Sequence, residues 1–287
     1  MRRIIAAASC VVIALAVVAS VSYRAGRADA AGGGPDPQAA GQPIAMPGFT
    51  RVLFLSHVNS PVRIPGFPGD PAFSLRTVFT VPADGFYLQD VDEGEHTGTH
   101  YSAPCHFHVD ALCANDLGPS DLVLPAVVVN VREKVQRHPE YHVSVKDLTM
   151  WRDSHGPFPK DAAVLLRTGC DKWWGPEIGA RIKTYYNCGS ADGKYRQPGF
   201  SEKAVRWLID QGILGNRGAL GSDTFGPDPT DDPDYMESWL ALRLHRMTLE
   251  NLMHLDQMPA RGGWIVVGGP RNLDGSGAPS TILGFVP

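Results

Sequence analysis

The sequence predicts an α/β protein in which a mixed or barrel-like sheet carries helices on its outside. Three observations lead there. Six short runs of β-branched and other apolar residues are flanked by Gly, Pro or Asp. Segments with helix-capping signals lie among them. Strands and helices do not alternate strictly, which argues against a purely parallel βαβ array.

In chain order the strand candidates are Arg51–Val58, Leu75–Val81, Leu122–Val131, Ala162–Arg167, Trp264–Val267 and Thr281–Val286. Ser144, with Asp147 three residues later, opens a helix carrying Leu148 and Trp151. Ser201 opens a second, which carries Val205, Leu208 and Ile209 and ends before Gly212. A third helix is predicted from about Asp234 to Met247. No Gly-x-Gly-x-x-Gly motif follows a strand, so nothing points to a dinucleotide site.

The N-terminus begins with Arg2 and Arg3, continues through an apolar stretch from Ile4 to Tyr23, and reaches Arg24. That pattern is membrane-directed, and Ala28-Asp29-Ala30 satisfies the A-x-A rule of signal peptidase. Residues 1–30 are therefore expected to be a signal peptide that exports the chain to the periplasm or the exterior. The stretch is also close to bilayer-spanning length, so an uncleaved anchor is the second reading. Membrane contact is expected through this segment alone. Residues 31–47 contain Gly32-Gly33-Gly34-Pro35 and read as a flexible linker. Residues 48–287 have the size of one catalytic domain.

With 43% hydrophobic residues the chain can bury a sizeable core. Its 26 basic and 30 acidic side chains provide no broad positive field, which argues against nucleic acid as a partner. Export gives meaning to Cys105, Cys113, Cys170 and Cys188, because an oxidising compartment can pair them. Short loops favour Cys105 with Cys113 and Cys170 with Cys188, although four cysteines allow three connectivities. Free buried thiols and a zinc knuckle are the alternatives, and no C-x-x-C pair supports the knuckle.

The segment from Gly94 to His108 holds His96, His100, His106 and His108, four imidazoles within thirteen residues. Imidazole is a neutral donor suited to zinc, manganese or iron, and several must converge to hold a cation. Gly98 and Pro104 favour a turn that folds these rings inward. Each histidine taken alone reads equally as a hydrogen-bonded structural or surface residue.

The segment resembles the cyclase family of metal-dependent hydrolases, which includes bacterial kynurenine formamidases and isatin hydrolase. The family signature is H-x-G-T-H-x-D-x-P-x-H, matched here by His96, Gly98, Thr99, His100, Pro104 and His106. Further blocks are Val164 to Gly169, Pro198 to Ser201, Gly221 to Thr224, and Leu249 to Leu252 with Leu255-Asp256. The resemblance implies a swivelling β/β/α domain with a central barrel-like sheet, assembled as a homodimer or homotetramer. It also implies His96, His100 and Glu250 as ligands of a divalent metal, zinc or manganese, with His106 moving protons. The expected substrate is a small-molecule amide, as in arylformamidases, or a cyclic amide or lactone.

Two positions depart from the family. Ser102 stands at the ligand position of its aspartate, and Ser238 stands twelve residues before Glu250, where the family has a histidine. A serine hydroxyl is a neutral and weaker ligand. His108 and His245 are the first candidates to replace the lost donors, ahead of Asp110, His254 and Cys105. The competing reading is a catalytically silent exported member that binds a small molecule. Trp173-Trp174 can wall an aromatic pocket or pack in a core. Tyr185-Tyr186 and Tyr195 lie in a stretch that reads as a substrate loop or as surface.

Overall fold

The apolar runs do form strands, five of the six in one sheet longer than the runs alone foretell. The computed structural model describes residues 48–62, 64, 69–174, 185–190 and 194–287. The expected signal or anchor segment and the linker lie outside the described residues. In chain order the elements begin with β1 (Arg51–Phe54), β2 (Ser74–Phe79), α1 (Val81–Asp84), β3 (Leu88–Asp92), β4 (His100–Ser102) and β5 (Val123–Asn130). They continue with α2 (Arg132–Arg137), β6 (His142–Val143), α3 (Val145–His155), β7 (Ala163–Arg167), β8 (Gly199–Phe200), α4 (Glu202–Asp210) and β9 (Arg217–Ser222). The last are α5 (Met236–Ala241), β10 (His245–Glu250), β11 (Gly263–Gly268), β12 (Gly277–Pro279) and β13 (Thr281–Val286).

Of the described residues, 76–90 belong to one compact unit, and 48–75 with 91–287 to another. In the smaller unit, β2 and β3 pair with each other, and Arg76 meets Asp90 at 2.5 Å. In the larger unit nine strands form one curled sheet, in the order β1-β13-β11-β5-β7-β9-β10-β4-β12. Its centre, β5-β7-β9-β10, is parallel, and antiparallel strands extend it on both sides.

In the parallel centre β5 and β7 are largely buried on both faces, which is why their sequences read as continuous apolar runs rather than as an alternation. Leu165 and Ala163 enter one core with Ala126, Met247, Leu249 and Ile265. Val164 and Leu166 enter the other, beneath Leu148 and Trp151 of α3 and Val205 and Leu208 of α4. Both helices start where their serines foretell. Ser144 and Asp147 form a reciprocal capping box on α3, and the Ser201 hydroxyl accepts from the Ala204 N–H at 3.2 Å on α4.

The third predicted helix is too long. It ends at Ala241, and His245–Glu250 is instead a strand between β9 and β4. Leu244 takes a left-handed conformation, φ 58°, and buried Arg246 donates to the carbonyls of Ala241 at 2.9 Å and Leu240 at 3.2 Å, closing the helix. Strand pairing from both sides overrides the helical pattern. The cysteines pair as their spacing favoured, Cys105 with Cys113 and Cys170 with Cys188, which removes the knuckle and free-thiol alternatives.

Candidate active site

Strand register assembles the site. Antiparallel pairing of β10 with β4 sets Glu250 opposite His100 and Thr248 opposite Ser102, with Leu249 opposite Tyr101 between them. Because side chains alternate, Leu249 and Tyr101 enter the core, while the four polar residues share the other face. Carboxylate, imidazole and two hydroxyls thus meet although about 150 residues separate the two strands. The Thr248 hydroxyl donates to Glu250 Oε1 at 2.8 Å, and the Ser102 hydroxyl donates to the same oxygen at 3.1 Å.

The turn before β4 is anchored by Asn251, which follows Glu250 at the same end of the strand pair. Gly98 has φ +63°, which favours glycine, and a Cβ there would lie 2.4 Å from Asn59 Oδ1, so that side chain would have to move for any other residue. Asn251 donates from Nδ2 to the Gly98 carbonyl at 2.8 Å. Its own carbonyl accepts from the Thr99 hydroxyl at 2.6 Å, and its Oδ1 from Tyr185 at 2.7 Å. The Glu-Asn-Leu block therefore supplies one site residue and the fastening of the histidine turn.

His100 Nδ1–H donates to the Gly98 carbonyl at 2.9 Å. In the neutral ring this leaves the lone pair on Nε2, which is buried without a well-aligned hydrogen bond and lies 3.2 Å from Glu250 Oε2. Lone pair against carboxylate is repulsive, and either a proton on Nε2 or a shared cation resolves it. In the metal-free pair it is the proton: burial alone would lower the His100 pKa, but the adjacent Glu250 charge holds it above its ordinary value. Burial would raise Glu250, but His100 and the hydrogen bonds bring it down to about 2. His96 sits beside them, its ring centroid 5.0 Å from that of His100. Its Nδ1 is 3.3 Å from Ser102 Oγ, and Nε2 is 2.9 Å from Ser276 Oγ. Burial, then the neighbouring His100 and His106, lower its pKa to about 3, so it is neutral. Two imidazoles and one carboxylate are the donor types that suit a borderline divalent cation, although their ligand atoms do not all lie within 4.8 Å of one another without it.

His106 ends a short 3-10 turn, Pro104–His106, and its ring lies 4.0 Å from His96 and 4.9 Å from Phe107. Desolvation in this packing lowers its pKa, against the pull of Glu250. His96, His100, His106, Glu250 and Ser238 all line one cavity of about 450 Å³, whose walls include Phe107, Tyr195, Phe225 and Tyr235. Ser102 lies behind it, fully buried.

Every residue of the sequence-predicted site is therefore brought together, and the suggested replacements are not. His245 Nδ1 pairs with Asp121 at 3.0 Å, beside Arg217. His108 Nε2–H donates to the Trp239 carbonyl at 2.9 Å, and His254 Nδ1–H to that of Phe54 at 3.0 Å. Cys105 is in a disulfide, and Asp110 is exposed outside the cavity lining. Trp174 stacks on His57 at 4.1 Å instead of walling the cavity. Tyr195 does reach it, and Tyr186 stacks on the wall residue Phe225 at 4.6 Å. Sequence reasoning missed Asp70, Gln197, Asp228, Thr248 and Ser276, polar residues scattered singly along the chain with no motif to announce them.

Beside the cavity, Asp228, Asp232 and Glu237 bring carboxylate oxygens within 4.8 Å of one another. Asp228 accepts from Ser238 N at 2.8 Å and from the Ser238 hydroxyl. Burial, then a hydrogen bond with Asp232, raise Glu237 to about 9, so it is a neutral acid at pH 7. Folding then takes up a proton between the unfolded value of 4.5 and the folded one, and stability falls as pH rises through that window. Glu237→Gln, which mimics the protonated acid, is expected to match the wild-type Tm near pH 4 and to exceed it near pH 8. Thermal unfolding at both pH values checks this, and an unchanged pH slope would refute the assignment.

Comparison with known proteins gives the lineage of this site. The Cyclase family model matches residues 53–229. The chain belongs to that family. Among curated proteins, this Cyclase-family chain is similar to isatin hydrolase of Roseibium aggregatum. The two are 26% identical over 204 residues, 68% of this chain and 73% of that protein. Among solved structures it is similar to isatin hydrolase A of Labrenzia aggregata bound to benzyl benzoate, with TM-score 0.70 and 26% identity over 82% of this chain and 93% of that one. Isatin hydrolase A of Ralstonia solanacearum shares the fold, with TM-score 0.68 and 24% identity over 99% of this chain and 100% of that one.

Proposed function

We propose that this Cyclase-family chain is a metal-dependent hydrolase that opens an aromatic cyclic amide, with aromatic lactones and N-formyl anilides as the neighbouring substrate classes. The observation that carries the reading is the buried His100 Nε2 facing Glu250 at 3.2 Å without a well-aligned hydrogen bond, with His96 alongside. A divalent cation, zinc or manganese, held by His96, His100 and Glu250 would lower the pKa of water and polarise a carbonyl. The chain supplies the rest. His106, neutral at pH 7, takes a proton at a ring nitrogen and returns it to the departing amide nitrogen. Phe107, Phe225 and Tyr235 provide flat apolar walls for a ring, and the similarity to isatin hydrolases favours a fused one.

A second reading has a specific observation behind it. Ser102 and Ser238 spend their hydroxyls on Glu250 and Asp228, and the site is internally satisfied by the His100–Glu250 ion pair, as a silent binding protein would have it. Hydrolysis separates the two. With zinc or manganese added, isatin, an aromatic lactone and an N-formyl anilide are incubated with the protein, and ring opening or formate release is followed. Opening of isatin supports the enzyme. Binding of isatin without turnover under either metal supports the silent reading.

Export to the periplasm or exterior is part of the proposal, supported by the Arg2-Arg3 and apolar start and by two disulfides. So is a homodimer or homotetramer, supported by the exposed apolar side chains Phe79, Phe86, Tyr87, Leu88 and Val91.

A further inference from the structure

The sequence after Asp274 reads Gly275-Ser276-Gly277, and no known motif marks it. Its backbone is shaped around two side chains from the histidine turn. A Cβ on Gly275 would lie 2.7 Å from Glu95 Oε1, and one on Gly277 would lie 3.0 Å from His96 Cε1 and 2.3 Å from the Tyr101 carbonyl. A Cβ on Gly277 would collide with the Tyr101 backbone and press on His96, and one on Gly275 would push the Glu95 carboxylate aside, so the two glycines leave room for Glu95 and His96 on either side of Ser276.

Ser276 joins them. Its N–H donates to Glu95 Oε2 at 2.8 Å, and its hydroxyl donates to the same oxygen at 2.7 Å. A hydroxyl has one proton. With that proton given to Glu95, Ser276 Oγ meets His96 Nε2, 2.9 Å away, as an acceptor. His96 Nε2 must then carry the ring proton, and its lone pair is on Nδ1. That nitrogen lies on the Ser102 side, 3.3 Å from Ser102 Oγ, whose own proton is directed to Glu250 Oε1.

We infer that Glu95 and Ser276 are positioning residues: a carboxylate–hydroxyl–imidazole relay that locks His96 in its Nε2–H tautomer and aims the Nδ1 lone pair at Ser102, Glu250 and the cation position. The backbone carbonyl of Gly98 does the complementary job for His100, fixing Nδ1–H and freeing Nε2. The two histidines therefore present opposite nitrogens, His96 Nδ1 toward Ser102 and His100 Nε2 toward Glu250. This is the role that outer hydrogen-bond partners play for imidazole ligands generally. The metal-affinity part of the inference rests on the hydrolase reading, and the tautomer part does not.

The test is long-range ¹H–¹⁵N correlation on the full, metal-free, histidine-labelled chain, with a His96→Asn control to assign the ring. Wild type should show His96 with a protonated Nε2 and an unprotonated Nδ1. Ser276→Ala should give a tautomer mixture and weaken zinc binding by about 10–100-fold in calorimetry, and Ser276→Thr should restore both. A wild-type His96 protonated on Nδ1 would overturn the inference, as would a Ser276→Ala chain with unchanged tautomer. A wild type that binds no zinc, yet shows the Nε2–H form and loses it in Ser276→Ala, would uphold the relay and remove the hydrolase reading.

Discussion

His106→Asn is expected to lower kcat for amide opening by about a hundred- to ten-thousand-fold, the range for loss of a positioned acid–base group. The bound cation should stay, because His106 is not one of the three residues proposed to hold it. Its ring faces the cavity across His96 at 4.0 Å, where it can reach a substrate. Desolvation holds its pKa below 6.5, so the neutral base persists to lower pH than for a free imidazole. The acid limb of the wild-type pH–rate profile should accordingly fall below pH 6.5 and vanish in the variant. Loss of metal together with activity would instead make His106 a ligand.

The second large effect concerns the substituted ligand position. Ser102 Oγ lies 3.1 Å from Glu250 Oε1 and is fully buried. Ser102→Asp places a second carboxylate there. Without metal, two like charges at this distance repel in a water-poor setting, and Tm should fall. With metal the sign reverses, since the added carboxylate strengthens binding to the folded state alone. At a concentration about 1,000 times Kd, binding contributes roughly 4 kcal/mol. The variant should therefore be less stable than wild type in chelator and gain more from zinc or manganese. Equal Tm gains in both proteins would show that position 102 does not face the cation.

How much of this was legible beforehand differs between fold and site. The six apolar runs located six strands because buried β-branched segments announce themselves. Ser144 and Ser201 located two helix starts because a capping hydroxyl is a local signal. Strand β10 escaped because its residues follow a helix directly and acquire strand character only from β9 and β4. His96, His100, His106 and Glu250 were singled out through the blocks of a known family, and the structure sets all four on one cavity. Thr248 followed from register, which sequence does not contain. Glu95 and Ser276 were not legible, being an ordinary acid and an ordinary serine 181 positions apart. The proposed replacements His108 and His245 were misjudged because proximity in sequence to a ligand says little about direction. His245 points to Asp121 at the far end of the strand whose other end carries Glu250.

The most direct measurement is calorimetric titration of the metal-free protein with zinc and with manganese, alongside His100→Ala and Glu250→Gln. One cation per wild-type chain is expected, with binding lost in both variants and folding retained by circular dichroism. A folded wild type that binds neither metal, or variants that bind as the wild type does, would contradict the proposed metal site.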